Sequence, residues 1–271
     1  GDFVACSYGV EGSLIYAGAL LLLISGASNL DQGLWAWSLV AAGLVGLALF
    51  LVFEARIEHP VLNMGLLRQN RIFALSNLAA LFNYAATFGV TFFLSLYLQY
   101  VKGMSPQQAG LILIVQPIMQ AVLSPFCGRL ADLYPAERVA TVGMLLCAIG
   151  LCAASTLTAG SSLTVIIVTL VFLGIGFALF SSPNVSVIMG SVPPRYLGVA
   201  SGLSSRMRTL GMMTSMTIIT IIFSILMGDS PVTAETQTAF LTSMRIALLV
   251  FCGLCVIGIF CSVGRFNSGR E

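Results

Sequence analysis

Charge is scarce in this sequence. Only 8% of the 271 residues are Asp, Glu, Lys or Arg, whereas a soluble domain carries about 25%. The chain has one Lys, Lys102, and one His, His59, and no run of basic residues. A chain this poor in charge cannot cover a water-facing surface, so we expect the lipid bilayer to be its solvent. The missing basic run gives no reason to expect nucleic acid as a partner.

Signals of enzymatic and metal chemistry are also missing. The sequence contains no HExxH, GxSxG or P-loop pattern, so neither a membrane-embedded enzyme nor an ATP-driven pump is indicated. Seven cysteines are present, and six of them lie in apolar runs, where packing is the favoured role. The Cys252-x-x-Cys255 pair has neither a His nor an acid nearby. We therefore predict no metal site and no cofactor.

Long apolar runs are what the sequence has in abundance. Hydrophobic residues make up 58% of the chain, the mean hydropathy is +1.00, and a spanning helix needs about 20 apolar residues. Runs of this length without period-two alternation predict helices and exclude a closed barrel. The sequence thus predicts an all-α polytopic membrane protein with about eight transmembrane helices. The predicted spans are Ser13–Ser28, Leu34–Phe53, Ile72–Gln99, Ala109–Cys127, Val139–Leu157, Leu163–Ser182, Val199–Met227 and Phe240–Val263.

Basic residues are distributed unequally between the two sets of connections. The set comprising "NLDQG", "KGMSPQQ", "TAGSS" and "GDSPVTAETQ" contains one base, Lys102. The other set, with both ends of the chain, contains eight arginines: Arg56, Arg68, Arg71, Arg129, Arg138, Arg195, Arg265 and Arg270. The positive-inside rule then predicts that both ends of this chain are cytoplasmic.

Acidic residues are absent from the middle of every predicted span, and the single His lies in a connection. A proton relay inside the membrane needs a buried titratable group. If the protein is proton-driven, its coupling carboxylate is therefore expected outside this chain.

Polar side chains recur on one face of the fourth predicted span. Gln116, Gln120 and Ser124 are spaced by four residues and share a helix face, and Pro117 among them predicts a kink. Two interpretations stay open for this face. It lines a solute pathway, or it makes hydrogen bonds between helices.

Further pathway candidates lie on the third predicted span. Asn77 and Tyr84 are seven residues apart, and Asn83 lies beside Tyr84. Phe82 and Phe88 add aromatic surface that an apolar substrate could meet, although aromatic residues in membrane helices more often serve packing.

Two arginines on the seventh predicted span face different ways. Arg206 and Arg208 are two residues apart, so they lie on roughly opposite faces of a helix. Arg208 shares its face with Ser201, Ser205 and Ser215, which makes it the pathway candidate. Arg206 is expected to reach the cytoplasmic headgroups.

The charged stretch "GRLADLYPAER" stands out from its apolar surroundings. It resembles the loop motif of the major facilitator superfamily, G-x-x-x-D-[RK]-x-G-[RK]-[RK], with Gly128 and Asp132 at the motif's spacing and Arg138 as a base at its end. Leu133 and Pro135 depart from the motif, as in its weaker second copy. Three further stretches resemble the fourteen-helix drug:proton antiporter branch: "FEARIEHPVLNMGLLRQNRIFALSN", "SPQQAGLILIVQPIMQAVLSPFCGRLAD" and "SSPNVSVIMGSVPPRYLGVASGLSSRMRTLG".

The resemblance implies a C-terminal part of such a transporter. Residues 1–71 would form two central helices and a cytoplasmic link, residues 72–265 the C-terminal six-helix bundle, and residues 266–271 a cytoplasmic tail. It further implies proton-coupled export of drugs or amphipathic small molecules across the cytoplasmic membrane, with substrate bound between this bundle and a missing N-terminal six-helix bundle. Partners would be the bilayer, the substrate and protons.

The helix faces and the loop motif each predict functional residues. The pathway candidates, drawn from helix faces, are Asn77, Asn83, Gln116, Gln120 and Arg208. The gating-loop candidates, drawn from the motif, are Gly128, Arg129, Asp132 and Arg138. Within the motif, Gly128 is expected to let helices approach, and Asp132 to hold a helix N-terminus or an Arg in one state of the cycle.

Alternatives remain at this stage. A facilitator of different substrate or polarity, such as an importer, fits the same resemblance. A membrane scaffold or the remnant of a truncated gene fits the helix count alone. The opening "GDFVACSYGVEG" has neither a Met nor a basic region, so it is not expected to be a signal peptide and indicates a piece of a longer chain.

Overall fold

The computed structural model of the chain describes residues 70–228, 232 and 236–265, together with isolated helical positions between 18 and 46. Within these residues, six helices are long and apolar enough to cross a membrane, and no strand occurs. The predicted all-α polytopic fold is therefore confirmed. The spans predicted at Ser13–Ser28 and Leu34–Phe53, and the tail at 266–271, lie outside the continuously described residues.

The described part of the chain has seven α-helices. A π-helical turn, Tyr97–Val101, extends the first, and a 3₁₀ turn, Pro194–Tyr196, leads into the sixth. The second and third together have the length and hydropathy of one membrane span. The helices are α1 (Arg71–Leu96), α2 (Pro106–Leu113), α3 (Val115–Leu133), α4 (Ala136–Ser155), α5 (Leu163–Gly190), α6 (Leu197–Met227) and α7 (Gln237–Gly264).

Three helices begin at polar caps that the sequence supplies. The Asn70 side chain accepts from the Phe73 amide, and the Ser162 hydroxyl accepts from the Val165 amide. At α2, Ser105 and Gln108 form a reciprocal capping box. Caps of this kind satisfy the first backbone amides of a helix, which otherwise have no partner.

The break between α2 and α3 explains how Pro117 acts. The helix is interrupted at Ile114, and Pro117 stands in the first turn of α3. Because proline has no amide hydrogen and its ring crowds the carbonyl four residues earlier, Pro117 disfavours a regular helix over the preceding turn. The kink predicted from Pro117 is thus present as an interruption three residues before it.

The helices pack in a continuous order, with α3 against α5, α5 against α4, α4 against α7, α7 against α1, and α1 against α6. Contacts between α1 and α5 close the bundle across its middle. Between α1, α6 and α7, an aromatic group fills the core, with the Phe93 and Phe223 rings edge-to-face at 5.5 Å. Across the α4–α7 contact, the Sγ atoms of Cys152 and Cys252 lie 3.0 Å apart.

Glycines allow the closest helix contacts. A Cβ added at Gly143 of α4 would lie 2.4 Å from the Phe180 backbone nitrogen of α5. A Cβ at Gly211 of α6 would lie 2.5 Å from the Leu81 carbonyl oxygen of α1. Both pairs therefore pack backbone against backbone, as small residues permit in membrane bundles.

Hydrogen bonds tie the connections together at each end of the bundle. At one end, the Tyr97 hydroxyl donates to the Thr158 carbonyl at 2.6 Å, and Lys102 Nζ donates to the Ala159 carbonyl at 2.7 Å. At the opposite end, Asn70 Nδ2 donates to the Ser191 carbonyl. The connections after α1 and α4 thus share one end of the bundle, as the sequence predicted.

Two predicted connections are shorter in the structure. Helix α3 continues to Leu133, so Gly128, Arg129 and Asp132 are helical, and the turn contains only Tyr134 and Pro135. Residues 128–133 include several good helix formers and no proline, whereas Pro135 forces Tyr134 into an extended conformation and ends the helix there.

Helix α5 also extends further than expected, from Leu163 to Gly190. The sequence predicts a span that ends at Ser182, yet the helix continues for eight residues beyond it, and Pro183 lies inside the helix. Prolines are tolerated in membrane helices where neighbouring groups satisfy the freed carbonyl. The predicted connection "NVSVIMGSVPPRY" is therefore helical over its first seven residues.

Gly143→Ala tests the α4–α5 contact. We expect a loss of about 1–3 kcal/mol in the free energy of unfolding, because the new methyl group meets backbone atoms that cannot turn away. Thermal unfolding in detergent, followed with a thiol-reactive dye, measures it. The control is Gly110→Ala in α2, where no atom lies within 4 Å of the added Cβ and helix propensity favours alanine. Equal stability of the two variants would contradict the packing.

Candidate functional site

A cavity opens on one side of the bundle between α1, α3, α5 and α6. It encloses about 210 Å³, less than the roughly 300–1,000 Å³ of a complete small-molecule site. Helices α4 and α7 contribute no lining residue. The lining residues are Asn83, Tyr84, Thr87, Phe88, Thr91, Gln120, Phe177, Ser181, Arg208 and Met212.

Helix α1 supplies a polar ridge to this cavity. Asn83, Thr87 and Thr91 are spaced by four residues, so they stack along one face. Thr87 Oγ1 donates to the Asn83 carbonyl at 2.8 Å, and Thr91 Oγ1 donates to the Thr87 carbonyl at 2.9 Å. Each threonine thereby satisfies its hydroxyl hydrogen within the helix, and its oxygen lone pairs remain to accept from a ligand.

Arg208 provides the positive charge of the cavity wall. Its guanidinium carbon lies 5.3 Å from the centroid of the Tyr84 ring, within the range of a cation–π interaction. The Arg208 side chain is exposed to the cavity. Helix α6 therefore presents this charge, and helix α1 positions it through Tyr84.

The structure brings three of the five predicted pathway residues together. Asn83, Gln120 and Arg208 line the cavity, each from a different helix. Asn77 and Gln116 do not line it.

Asn77 and Gln116 are buried inside the bundle. Asn77 Nδ2 donates to the Phe73 carbonyl at 2.9 Å, and within the described residues its Oδ1 has no hydrogen-bond partner. The Gln116 backbone lies against Gly174 of α5, where an added Cβ would be 2.8 Å from the Gln116 carbonyl oxygen. Gln116 and Gln120 therefore have different surroundings despite their four-residue spacing. Gln116 packs on α5, and Gln120 lines the cavity.

Sequence reasoning missed several lining residues. Thr87 and Thr91 could have been found, since they repeat the four-residue spacing that begins at Asn83. Met212 could also have been found, since it lies four residues after Arg208 on α6, whereas Phe177 and Ser181 carry no such signal because α5 is apolar around most of its circumference.

The gating-loop residues lie at the α3–α4 turn. Arg129, Asp132 and Arg138 are exposed. A Cβ added at Gly128 would lie 3.5 Å from Ser182 Oγ, an ordinary contact, so the close helix approach expected at Gly128 is not found there. Asp132 stands in the last turn of α3, where a negative charge is unfavourable to the helix dipole.

A buried arginine, Arg265, lies at the same end of the bundle as the α3–α4 turn, and its role in joining the helices was not predicted from the sequence. The sequence counted Arg265 only among the orienting bases, yet it is 2% exposed. Its Nη1 donates to Ser76 Oγ and to Asn184 Oδ1, each at 2.9 Å. Its Nε donates to the Ser262 carbonyl at 3.2 Å, and its Nη2 contacts Ser262 Oγ. One guanidinium thus joins α1, α5 and the end of α7.

Helix α4 completes this network. Ser262 Oγ lies 2.6 Å from Thr141 Oγ1, which donates to the Glu137 carbonyl at 2.7 Å. Burial lowers the pKa of Arg265 to about 10, and the nearby Glu137 carboxylate opposes part of that change. Arg265 therefore stays charged at neutral pH, held by neutral acceptors on every side.

Comparison with known proteins identifies the family. The model of the Major Facilitator Superfamily matches residues 77–267, which is more than half of the chain. The chain belongs to the Major Facilitator Superfamily. It is accordingly a multi-pass membrane protein of a transporter family and not an enzyme.

Several curated members of the superfamily are similar in sequence. The riboflavin transporter RibZ of Clostridioides difficile (strain 630) is 26% identical over 260 residues, covering 95% of this chain and 56% of the relative. The tetracenomycin C resistance and export protein of Streptomyces glaucescens is 28% identical, covering 82% and 42%. The tetracycline resistance determinant of Streptomyces rimosus is 31% identical, covering 73% and 60%. The chain spans about half the length of these relatives.

A solved structure of the same superfamily fold is also similar. The crystal structure of the nucleoside transporter NupG aligns with 92% of this chain and 64% of its own length, with a TM-score of 0.57 and 15% sequence identity. At this identity the likeness concerns the fold alone.

Arg265→Met tests the buried network. Loss of the guanidinium leaves Ser76, Asn184 and Ser262 without their donor, and we expect about 2–3 kcal/mol less stability. Arg265→Lys should recover part of this loss, because an ammonium cannot reproduce the planar fork. Thermal unfolding in detergent measures both.

The matched control is Arg245→Met, which removes an exposed arginine from the same helix. Its effect should stay within about 0.5 kcal/mol, as for surface changes. An effect as large as that of Arg265→Met would show that the loss reflects the missing charge in general and not this network.

Proposed function

We propose that this chain forms one half of a secondary active transporter that exports drugs or amphipathic small molecules in exchange for protons. The observation that carries the proposal is the cavity itself. Its wall combines aromatic and thioether surface from Phe88, Phe177 and Met212 with amides from Asn83 and Gln120. A compound with one apolar and one polar side would find partners for both on this wall.

The relatives support export as the direction of transport. Two of them are named for resistance to, or export of, tetracenomycin C and tetracycline. Another is named a riboflavin transporter.

A complementary six-helix bundle is expected to supply the other wall. The cavity is smaller than a whole site, open on one side, and the chain spans about half of its relatives. Two bundles that rock about such a site would expose it alternately to the two sides of the membrane. Residues 1–71 would contribute the two central helices between the bundles, and residues 72–265 the C-terminal bundle.

Proton coupling is assigned to the complementary bundle. The described residues include two carboxylates, Asp132 and Glu137, and both lie at the α3–α4 turn, away from the cavity. A carboxylate that binds and releases the transported proton must reach the pathway. We therefore place it on the missing bundle.

The arginine-rich end of the bundle is proposed to face the cytoplasm. Arg71, Arg129, Arg138, Arg195 and Arg265 lie at this end, whereas Lys102 lies at the other. The positive-inside rule gives this orientation in the plasma membrane, with both ends of the chain cytoplasmic.

The α3–α4 turn is proposed to act as a gate. Asp132 is exposed in the last turn of α3, and none of the described residues forms an ion pair with it. A charge kept at an unfavourable helix end is best explained by a partner that it meets in another state, on the complementary bundle. Gly128, Arg129 and Arg138 would belong to the same contact.

Proteoliposomes test the transport proposal. The complete transporter should accumulate an amphipathic fluorophore when a pH gradient is imposed, and the 271-residue chain alone should not, because it carries one wall of the site. Collapse of the gradient with nigericin provides the control. Proton-dependent accumulation by the chain alone would contradict the proposal. Accumulation by the complete transporter that does not depend on the pH gradient, for every compound tested, would also contradict it.

Asp132→Asn tests the gate in the complete transporter. We expect the transport rate to fall about tenfold, the effect of losing one charge-assisted hydrogen bond in one state. Asp132→Glu should retain most of the rate, since it keeps the charge. Membrane insertion, measured by expression in the membrane fraction, should be unchanged. An unaltered rate would leave the turn with a topological role only.

A further inference from the structure

The Arg208 guanidinium has no carboxylate partner among the described residues that line the cavity. The lining residues include no Asp or Glu, and Arg208 is their single ionised side chain. The two described carboxylates, Asp132 and Glu137, lie at the α3–α4 turn. The contact that holds Arg208 is the face of the Tyr84 ring, which is neutral. The positive charge of this wall is therefore uncompensated.

The position of Arg208 makes this lack of compensation significant. Arg208 lies eleven residues after Leu197, the first residue of α6, which places it roughly 16 Å along the helix. Arg206 is two residues closer to the end of the same helix and lies on a different face. Arg208 lies within a candidate membrane span, Pro194–Met227, and a charge inside a membrane is costly unless an anion or water meets it. The cavity is where such an anion would enter.

The geometry of the guanidinium suits a planar anion. The Arg208 guanidinium carbon lies over the Tyr84 ring, and within the described residues its N–H groups have no hydrogen-bond partner, so they are available to a ligand. A guanidinium edge binds a carboxylate through two parallel hydrogen bonds. Phe88 and Phe177 line the same cavity and offer surface to an aromatic ring attached to that carboxylate.

We infer that the cavity selects aromatic anions, such as aryl carboxylates, over cations and neutral compounds of the same shape, and that Arg208 determines this selection. The inference rests on the proposed function, since it names the substrate class for the same cavity. Asn83 and Gln120 would bind the polar substituents, because their amides are on the same wall.

Three naphthalene probes of matched size test the inference: 2-naphthoate, 2-naphthamide and 2-naphthyltrimethylammonium. Binding to the 271-residue chain in phosphatidylcholine nanodiscs is measured by equilibrium dialysis, and empty nanodiscs report partition into lipid. We expect naphthoate to bind about tenfold more tightly than naphthamide, as one charge-assisted contact predicts, and the cation to bind least.

Variants separate Arg208 from general charge. Arg208→Gln should abolish the preference for naphthoate over naphthamide, whereas Arg208→Lys should keep part of the preference. Arg206→Gln removes an exposed arginine from the same helix and is the matched control, so it should keep the full preference. Equal loss in Arg206→Gln and Arg208→Gln would overturn the inference, because the preference would then reflect surface charge.

The complete transporter provides the second measurement. Transport of naphthoate should exceed that of naphthamide and should fall to the same rate in Arg208→Gln. If the chain alone prefers naphthoate but the complete transporter does not, a carboxylate of the complementary bundle neutralises Arg208 and the inference is wrong. It is also wrong if phosphatidylglycerol in the nanodiscs removes the preference, since the anion at Arg208 is then a lipid headgroup.

The outcomes also distinguish the inference from the proposed function. If naphthamide is bound and transported with no preference for naphthoate, the proposed function stands and the inference fails. If the chain and the complete transporter bind none of the three probes, both fail.

Discussion

The organisation of this bundle depends on one constraint: a polar group inside a bilayer must find its partner within the protein. Arg265 meets the constraint with Ser76, Asn184 and Ser262, drawn from three helices. Thr87 and Thr91 meet it locally, by donating to carbonyls four residues earlier in α1. Where the constraint is met within the protein, the bundle is tight. At Arg208 the contact provided by the described residues is the Tyr84 ring, and the guanidinium stays exposed to the cavity.

The two arginines lie in opposite kinds of surroundings. Arg265 is buried and fully surrounded by neutral acceptors, so it joins helices and is closed to ligands. Arg208 is exposed and rests on a neutral ring, so its donors stay available. Helices α4 and α7 pack behind the cavity without contributing to it, and the glycine contact at Gly143 fixes α4 against α5. Helices α4 and α7 thus stand apart from the cavity wall, which α1, α3, α5 and α6 form.

Much of the fold could be predicted because the bilayer allows few solutions. A run such as Leu163–Ser182 has no alternative to a helix in lipid, and the unequal arginine distribution orders the connections. The boundaries were less predictable. The span predicted to end at Ser182 continues as α5 through Pro183 to Gly190. The stretch "GRLADLYPAER" is predicted as a connection, yet its first six residues are helical. The helix ends just before Pro135.

The sequence by itself determined the helical class, the family resemblance, and the residue types of the candidate site, because composition and spacing along one helix are enough for these. Only the tertiary structure decided that Asn83, Gln120 and Arg208 share a cavity while Asn77 and Gln116 are buried. Spacing assigns residues to a face of their own helix, but it does not say which neighbour that face meets. That choice is made by helix packing, through contacts between residues far apart in the chain, such as Arg265 with Ser76.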